Sequence, residues 1–158
     1  QEFAQGAEWN HDGEIDWAAI GNPLHYGVQM FVRDLNRLYR TTPALYVKDC
    51  DPAGFQWIEA NDVENSVFAW IRRGNPGDPE VVVICNFTPV VRHNYRLGVP
   101  GPGTYQERIN TDSHFYGGSN VGNAFGMVDA EQIPAHGREW SIALTLPPLA
   151  AIFLDWEH

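Results

Sequence analysis

Residues 66–87 read SVFAWIRRGNPGDPEVVVICNF, and this stretch decides the fold. Two runs rich in β-branched and aromatic residues, 66–73 and 80–87, flank the turn sequence Asn-Pro-Gly-Asp-Pro at 75–79. Runs of this length and composition predict β-strands, and clustered Pro and Gly predict the turn that separates them. The stretch therefore indicates a domain built from short strands.

The same two-residue periodicity continues on both sides of this stretch, and no helical pattern returns after residue 54. Short strands separated by Pro- and Gly-rich turns are typical of an antiparallel β-sandwich, so we predict a mainly β chain. The Gly- and Asn-rich residues 111–139 are expected to form a long irregular excursion. Besides 66–73 and 80–87, the predicted strands are 55–60, 93–99, 103–110, 140–146 and 149–154.

One helix is predicted before the strands, over residues 23–40. Pro23 suits a first-turn position, and Pro43 ends the pattern. Apolar residues recur at three- and four-residue spacing, which gives one apolar stripe along the helix. The rest of the chain offers little to cover so broad a stripe, so residues 1–50 are expected to be loosely held or packed on a neighbour. The stripe comprises Val28, Phe31, Val32, Leu35, Leu38 and Tyr39.

The charge balance limits the possible partners. The chain of 158 residues has 20 acidic and 10 basic residues, a formal net charge of −10. Such a surface repels phosphate backbones and anionic lipid, which argues against nucleic-acid and membrane-surface roles. No apolar run reaches the length of a membrane span. A neutral polysaccharide remains compatible. With two cysteines and no signal-peptide pattern, a cytoplasmic location is expected. The absence of an initial Met suggests that the chain starts inside a longer sequence or after processing.

The sequence offers no clear catalytic, metal or cofactor site. The dense carboxylates between Glu8 and Asp16 lie on a predicted loop, and a solvated acidic loop is the simpler interpretation. The six histidines lack the spacing of a metal site, so no metal is predicted. No Gly-rich loop joins a strand to a helix, so no nucleotide cofactor is predicted.

Aromatic residues are the more informative candidates, since the flat C–H faces of sugars stack on indole rings. Trp9 stands among hydrogen-bonding groups in the segment 8–12 and is either a stacking platform or a loop anchor. Trp57 shares a strand face with Phe55, whereas Ile58 takes the opposite face. If Ile58 points inward, Trp57 is exposed and can bind a sugar; the alternative is a buried Trp57. Trp70 and Trp140 are predicted core residues.

Many short motifs in register resemble the C-terminal portion of glycogen (1,4-α-glucan) branching enzymes, members of the α-amylase superfamily. The segments 2–6, 8–10 and 16–17 resemble the sequence after the eighth barrel strand of that family, and 31–39 resembles its last barrel helix. The resemblance extends over essentially the whole chain. Further matching segments are 86–89, 92–93, 95–96, 110–112, 116–120, 136–138 and 144–150.

This resemblance implies two units: 1–45, the last loop and helix of a truncated (β/α)8 barrel, and 46–158, a C-terminal antiparallel β-sandwich. In that family the parent enzyme cleaves α-1,4-glucan and transfers the released segment to form α-1,6 branches in glycogen. The nucleophile and the acid/base would lie upstream, so the chain alone is expected to be inactive. Trp9, Asn10 and Trp57 would contact glucan. The implied partners are glycogen or amylose and the rest of the barrel; the alternative is a stand-alone, non-catalytic glucan-binding sandwich.

Overall fold

A computed structural model describes residues 2–123 and 126–156, and it is mainly β. One helix, α1 (Pro23–Thr41), precedes all the strands. Each of the seven predicted strands is present, with ends shifted by at most two residues. In chain order the strands are β1 (Phe55–Asp62), β2 (Val67–Arg72), β3 (Glu80–Asn86), β4 (Arg92–Val99), β5 (Thr104–Asn110), β6 (Met127–Asp129), β7 (Trp140–Leu146) and β8 (Ala150–Trp156).

The strands form two antiparallel sheets. The larger sheet has the order β1-β2-β3-β8-β5-β6, and the smaller consists of β4 and β7. Alternate residues of both sheets point into one shared core, as the two-residue period requires. From the large sheet come Ile58, Val67, Ala69, Ile71, Val82, Ile84, Tyr105, Ile152, Leu154 and Trp156, and from the small sheet Leu97, Val99, Ile142, Leu144 and Leu146.

The large sheet is also packed on part of its outer face. Residues Pro43–Leu45 form a short 3₁₀ turn that lies there, and Ala44 is fully buried with Val81 and Val83. This explains why the run 81–84 is apolar without interruption, since its side chains are buried on both sides of the sheet.

The expectation of an irregular excursion over residues 111–139 is wrong at two places. Met127–Asp129 forms β6, which pairs with β5, and His114–Tyr116 forms a 3₁₀ turn. Neither element is long enough to show a periodicity in the sequence. The carboxylate of Asp112 organises residues 117–121 by accepting hydrogen bonds from Ser119 and from the backbone N–H of Val121.

Helix α1 is better covered than its sequence suggests. Asn22 caps its first turn by accepting a hydrogen bond from the Leu24 N–H at 2.9 Å. The stripe residues Val28, Phe31, Val32 and Leu35 are half-buried rather than exposed, and Leu38 is buried. The turn His114–Tyr116 packs on this helix, so the excursion itself supplies a packing partner.

Of the tryptophans, Trp140 is partly buried against the main core, and Trp156 is buried in it. Trp70 instead faces the outer side of the large sheet, partly buried over the cluster of Ala44, Val81 and Val83. Trp70 was predicted to lie in the core, and it is instead partly buried on the outer side of the sheet. Within residues 2–123 and 126–156, no helix is long and apolar enough to cross a membrane.

Candidate functional site

Five aromatic side chains form a continuous surface on the outer face of the large sheet, which we call the aromatic ladder. Phe55 and Trp57 lie two residues apart on β1, and Phe68 and Trp70 lie two residues apart on β2, so each pair shares one face. Phe87 directly follows β3, and its N–H still donates to the carbonyl of Ser66 at 3.1 Å.

Strand register brings the rings of the ladder together. Trp57 and Trp70 are direct partners across β1 and β2, with ring centroids 5.9 Å apart. Trp57 also contacts Phe55 at 5.0 Å and Phe68 at 6.2 Å, and Phe68 contacts Phe87 at 5.6 Å. These separations are typical of aromatic pairs that stabilise one another. Trp57 therefore lies at the centre of the ladder.

Exposure singles out Trp57 as the ring best placed to meet a ligand. Its side chain is 50% exposed, whereas the next residue, Ile58, is 9% exposed and belongs to the main core. Strand alternation explains the contrast, since adjacent residues point to opposite faces. Of the two orientations that the sequence allows, β1 adopts the one that exposes Trp57.

The ladder has a supported side and an open side. Trp70 packs against the buried cluster that includes Val81 and Val83, and this packing fixes the position of its ring. Phe87 is 62% exposed at the other end. A ring that is fixed by its neighbours and open on one face loses little conformational entropy on binding. Such a surface suits a ligand with flat apolar faces.

The second candidate region is the N-terminal loop that contains Trp9 and Asn10. Trp9 is 81% exposed, and among residues 2–123 and 126–156 the ring it contacts is that of His11, at 5.8 Å. It borders two shallow cavities of about 420 and 480 Å³. The Oδ1 atom of Asn10 accepts a hydrogen bond from the Asp12 N–H at 3.0 Å, so this side chain stabilises the turn beside Trp9.

The loop is attached to α1 through a small number of contacts. Phe3 is buried, its ring lies 5.8 Å from that of Trp17, and its carbonyl oxygen is 2.8 Å from Nδ1 of His25. Trp9 has no comparable support. The predicted contact residues Trp9 and Trp57 thus belong to two separate surfaces, each with its own aromatic neighbours.

Neither surface contains the arrangement that a metal or a buried thiol site requires. Among residues 2–123 and 126–156, no group of three His, Cys, Asp or Glu side chains is arranged to hold a metal ion. Cys50 and Cys85 are free, and burial raises the pKa of the Cys85 thiol to about 11, which keeps it protonated. What the two surfaces offer is aromatic area with hydrogen-bonding groups beside it.

Phe68 and Phe87 are the ladder members that sequence reasoning missed. Each belongs to an apolar run that gives no indication of which face is outward. The signal that could have found Phe68 is its diagonal position to Trp57 across the pairing of β1 with β2, in which Trp57 faces Trp70, and this register is not readable from one sequence.

Comparison with known proteins agrees with this architecture. Residues 57–157 match the family described as alpha amylase, C-terminal all-beta domain, and the chain belongs to that family. The chain is 56% identical over 155 residues to the 1,4-alpha-glucan branching enzyme GlgB of Cupriavidus pinatubonensis, covering 98% of this chain and 20% of that protein. It is 55% identical to GlgB of Paramagnetospirillum magneticum, covering 100% of this chain and 21% of the relative.

The chain thus spans about a fifth of the length of these curated relatives. Among solved structures, the trehalulose synthase MutB of Pseudomonas mesoacidophila superposes with a TM-score of 0.51 at 22% identity, covering 89% of this chain and 20% of that one. A MutB mutant in complex with Tris gives 0.54 at 20% identity, with coverage of 90% and 20%. These likenesses concern the fold.

Proposed function

We propose that this chain is the C-terminal part of a 1,4-α-glucan branching enzyme, a transferase that cleaves α-1,4-glucan and re-attaches the released segment as an α-1,6 branch. Support comes from the identity of 51–56% to branching enzymes from Cupriavidus and Pseudomonas, which extends over nearly all of the chain. The carboxylates of this reaction, a nucleophile and an acid/base, would lie outside residues 1–158.

Within that enzyme we propose two roles for the chain. Residues 1–45 would complete the catalytic barrel, and the loop of Trp9 and Asn10 would border its active-site cleft, as loops at the strand ends of such barrels do. Residues 46–158 would form the sandwich that supports the barrel. The exposed apolar side chains of Leu24 and Tyr39 on α1, 63% and 46% exposed, are consistent with a helix that packs on further protein.

The aromatic ladder carries the proposal of glucan contact. Trp57 is half-exposed among three other rings while Ile58 faces the core, so its indole is available to stack on a sugar ring. The ladder rings are uncharged, which suits a neutral polymer and disfavours an ionic ligand. A stand-alone glucan-binding sandwich would use the same surface. Sequencing the gene upstream separates the two, because a reading frame that continues into barrel sequence would favour the enzyme.

Trp57→Ala tests the proposal on the purified chain, with maltoheptaose and soluble amylose as ligands. We expect glucan binding to weaken by about 1–3 kcal/mol, by analogy with bases stacked on aromatic side chains. The free energy of unfolding should change by less than about 1 kcal/mol, because half of the side chain is already in water.

Phe115→Ala provides the control, since Phe115 is 71% exposed and outside the ladder. It should leave glucan binding unchanged. If Trp57→Ala instead costs about 3–5 kcal/mol of stability, the value for a buried Trp, while its folded fraction binds glucan normally, the platform role is wrong.

A further inference from the structure

A basic surface of this acidic chain lies where α1 meets β5. Arg33, Arg37 and Arg40 occupy positions i, i+4 and i+7 of α1 and therefore share one face of the helix. Arg108 of β5 lies across from them and borders the same cavity as Arg33 and Arg37. We call these four residues the arginine cluster. They are four of the nine arginines in the chain.

Carboxylates neutralise the cluster only in part. Arg33 pairs with Asp34 at 3.0 Å, and Arg108 pairs with Asp155 at 3.3 Å. The guanidinium groups of Arg37 and Arg40 form no ion pair and no hydrogen bond with another described residue. Three arginines elsewhere differ in this respect: Arg72 pairs with Asp49, Arg73 with Glu80, and Arg96 with Glu131.

This arrangement destabilises the helix when nothing is bound. Like charges three and four residues apart on a helix repel one another, and here Arg37 has Arg33 on one side and Arg40 on the other. The nearest acid, Asp34, also accepts a hydrogen bond from the Tyr116 hydroxyl at 3.2 Å, so its charge is already shared. A bound anion would remove the repulsion that Asp34 leaves.

The cluster borders space that a small ligand can occupy. One cavity of about 430 Å³ is bordered by Arg33, Arg37 and Arg108, and an adjoining one of about 490 Å³ by Arg33, Arg37 and Arg40. Thr41 lines both, with its hydroxyl donating to the carbonyl oxygen of Arg37 at 2.9 Å. Arg33 and Arg37 are common to the two cavities and would lie between two linked anionic groups.

From this geometry we propose that the arginine cluster binds a small soluble molecule that carries a diphosphate group. Each guanidinium can donate two parallel N–H bonds to a phosphate, a geometry that lysine cannot supply. The Debye length is about 8 Å at physiological ionic strength, so the net charge of −10 is screened at the cluster but still disfavours a large anionic surface. The Arg face lies opposite the half-buried apolar stripe and stays accessible when that stripe is covered.

Calorimetric titration of the chain with inorganic pyrophosphate tests the proposal, beside inorganic phosphate and vesicles of phosphatidylglycerol. We expect saturable 1:1 binding of pyrophosphate, weaker binding of phosphate, and no binding to vesicles. Arg37→Gln should weaken pyrophosphate binding at least about tenfold, because it removes charge-assisted hydrogen bonds in both cavities. Arg37→Lys should also weaken pyrophosphate binding, because lysine keeps the positive charge but cannot donate two parallel N–H bonds.

Arg96→Gln is the control, since it removes the same charge outside the cluster, and it should leave pyrophosphate binding within about twofold. Arg37 is exposed, so its variants should melt like the parent chain. The proposal is overturned if pyrophosphate does not saturate in the millimolar range, if Arg96→Gln weakens binding as much as Arg37→Gln, or if vesicles bind and pyrophosphate does not. Equal binding by Arg37→Lys and the parent would also overturn it.

Discussion

Gly27 of α1 and Tyr116 of the excursion are in direct backbone contact across the junction between helix and sandwich. A Cβ atom added at Gly27 would lie 2.4 Å from the carbonyl oxygen of Tyr116. The same tyrosine contacts the ring of Phe31 at 5.4 Å and donates its hydroxyl to Asp34 at 3.2 Å. The absence of a side chain at Gly27 therefore sets how closely α1 approaches the excursion.

Gly27→Ala should loosen this junction although alanine favours helix. Helix propensity gains about 1 kcal/mol from the change, but a clash with backbone typically costs about 1–3 kcal/mol. We expect a net loss of stability in urea unfolding and faster amide exchange in residues 112–121. Gly21→Ala is the control, because an added Cβ there meets nothing within 4 Å. Equal effects of the two substitutions would contradict the packing role of Gly27.

Burial of Glu107 makes the stability of the chain depend on pH. Burial raises the pKa of its carboxyl, and the nearby amides of Asn123 and Asn110 offset this only in part. Its Oε2 atom is buried without a hydrogen-bond partner. The folded chain therefore holds this proton to a higher pH than the unfolded chain. Stability falls as pH rises from the ordinary Glu pKa, about 4.3, towards the raised value.

Glu107→Gln should remove that pH dependence, because the amide has no charge to desolvate. Urea unfolding at pH 4, 5, 6 and 7 should show the variant gaining stability relative to the parent as pH rises. Glu64→Gln replaces an exposed carboxylate and should follow the parent curve. A constant difference between Glu107→Gln and the parent at all four pH values would refute this origin of the dependence.

For Asp62 we expect the dependence of stability on pH to have the opposite sign. Burial acts to raise the pKa of its carboxyl, but hydrogen bonds from Asn65 and Tyr95 and the charge of Arg92 together lower it below the usual value. Stability from this group is present above the ordinary Asp pKa, about 3.9, and is lost as pH falls through the lowered folded value.

Asp62→Asn should therefore cost about 1 kcal/mol at pH 7 and progressively less below pH 4, measured by urea unfolding. The hydroxyl of Tyr95, 2.8 Å from Asp62 Oδ2, can still donate to the amide oxygen, which keeps the loss modest. Asp12→Asn, on the exposed N-terminal loop, should cost little at either pH. A loss that is as large at pH 2.5 as at pH 7 would rule out an ionic contribution.

The strands could be predicted because residue composition over a few consecutive positions indicates them. The contacts that join α1 to the sandwich could not be predicted, because they connect residues far apart in the sequence. The composition of the run from Val81 to Ile84 is enough to predict a strand. In contrast, the hydrogen bond from Tyr116 to Asp34 joins residues 82 positions apart, so the sequence of α1 gives no sign of what covers it. The strand Met127–Asp129 is too short to establish a period of two.

The candidate site could be predicted only in part, because strand alternation does not tell which face of β1 is exposed. Alternation places Phe55 and Trp57 on one face of β1 and Ile58 on the other, but both faces are apolar, so either could be inward. The choice depends on where the small sheet lies, which is a tertiary property. The ladder itself depends on the pairing of Trp57 with Trp70 across two strands.

Trp70→Ala should affect stability and the ladder together, unlike Trp57→Ala. Trp70 packs on the cluster of Ala44, Val81 and Val83, so truncation leaves a void over that cluster. A buried Trp→Ala change costs about 3–5 kcal/mol of stability. Because Trp70 is only partly buried, we expect a loss of about 3 kcal/mol in urea unfolding.

Trp70→Ala should also affect glucan binding through Trp57. The ring of Trp57 lies 5.9 Å from that of Trp70 and would lose this packing contact. Maltoheptaose binding by the folded Trp70→Ala chain should therefore weaken, though less than with Trp57→Ala. Trp70→Phe keeps most of the packing and should recover most of the stability. If Trp70→Ala unfolds like the parent chain, Trp70 does not anchor the ladder on Val81 and Val83.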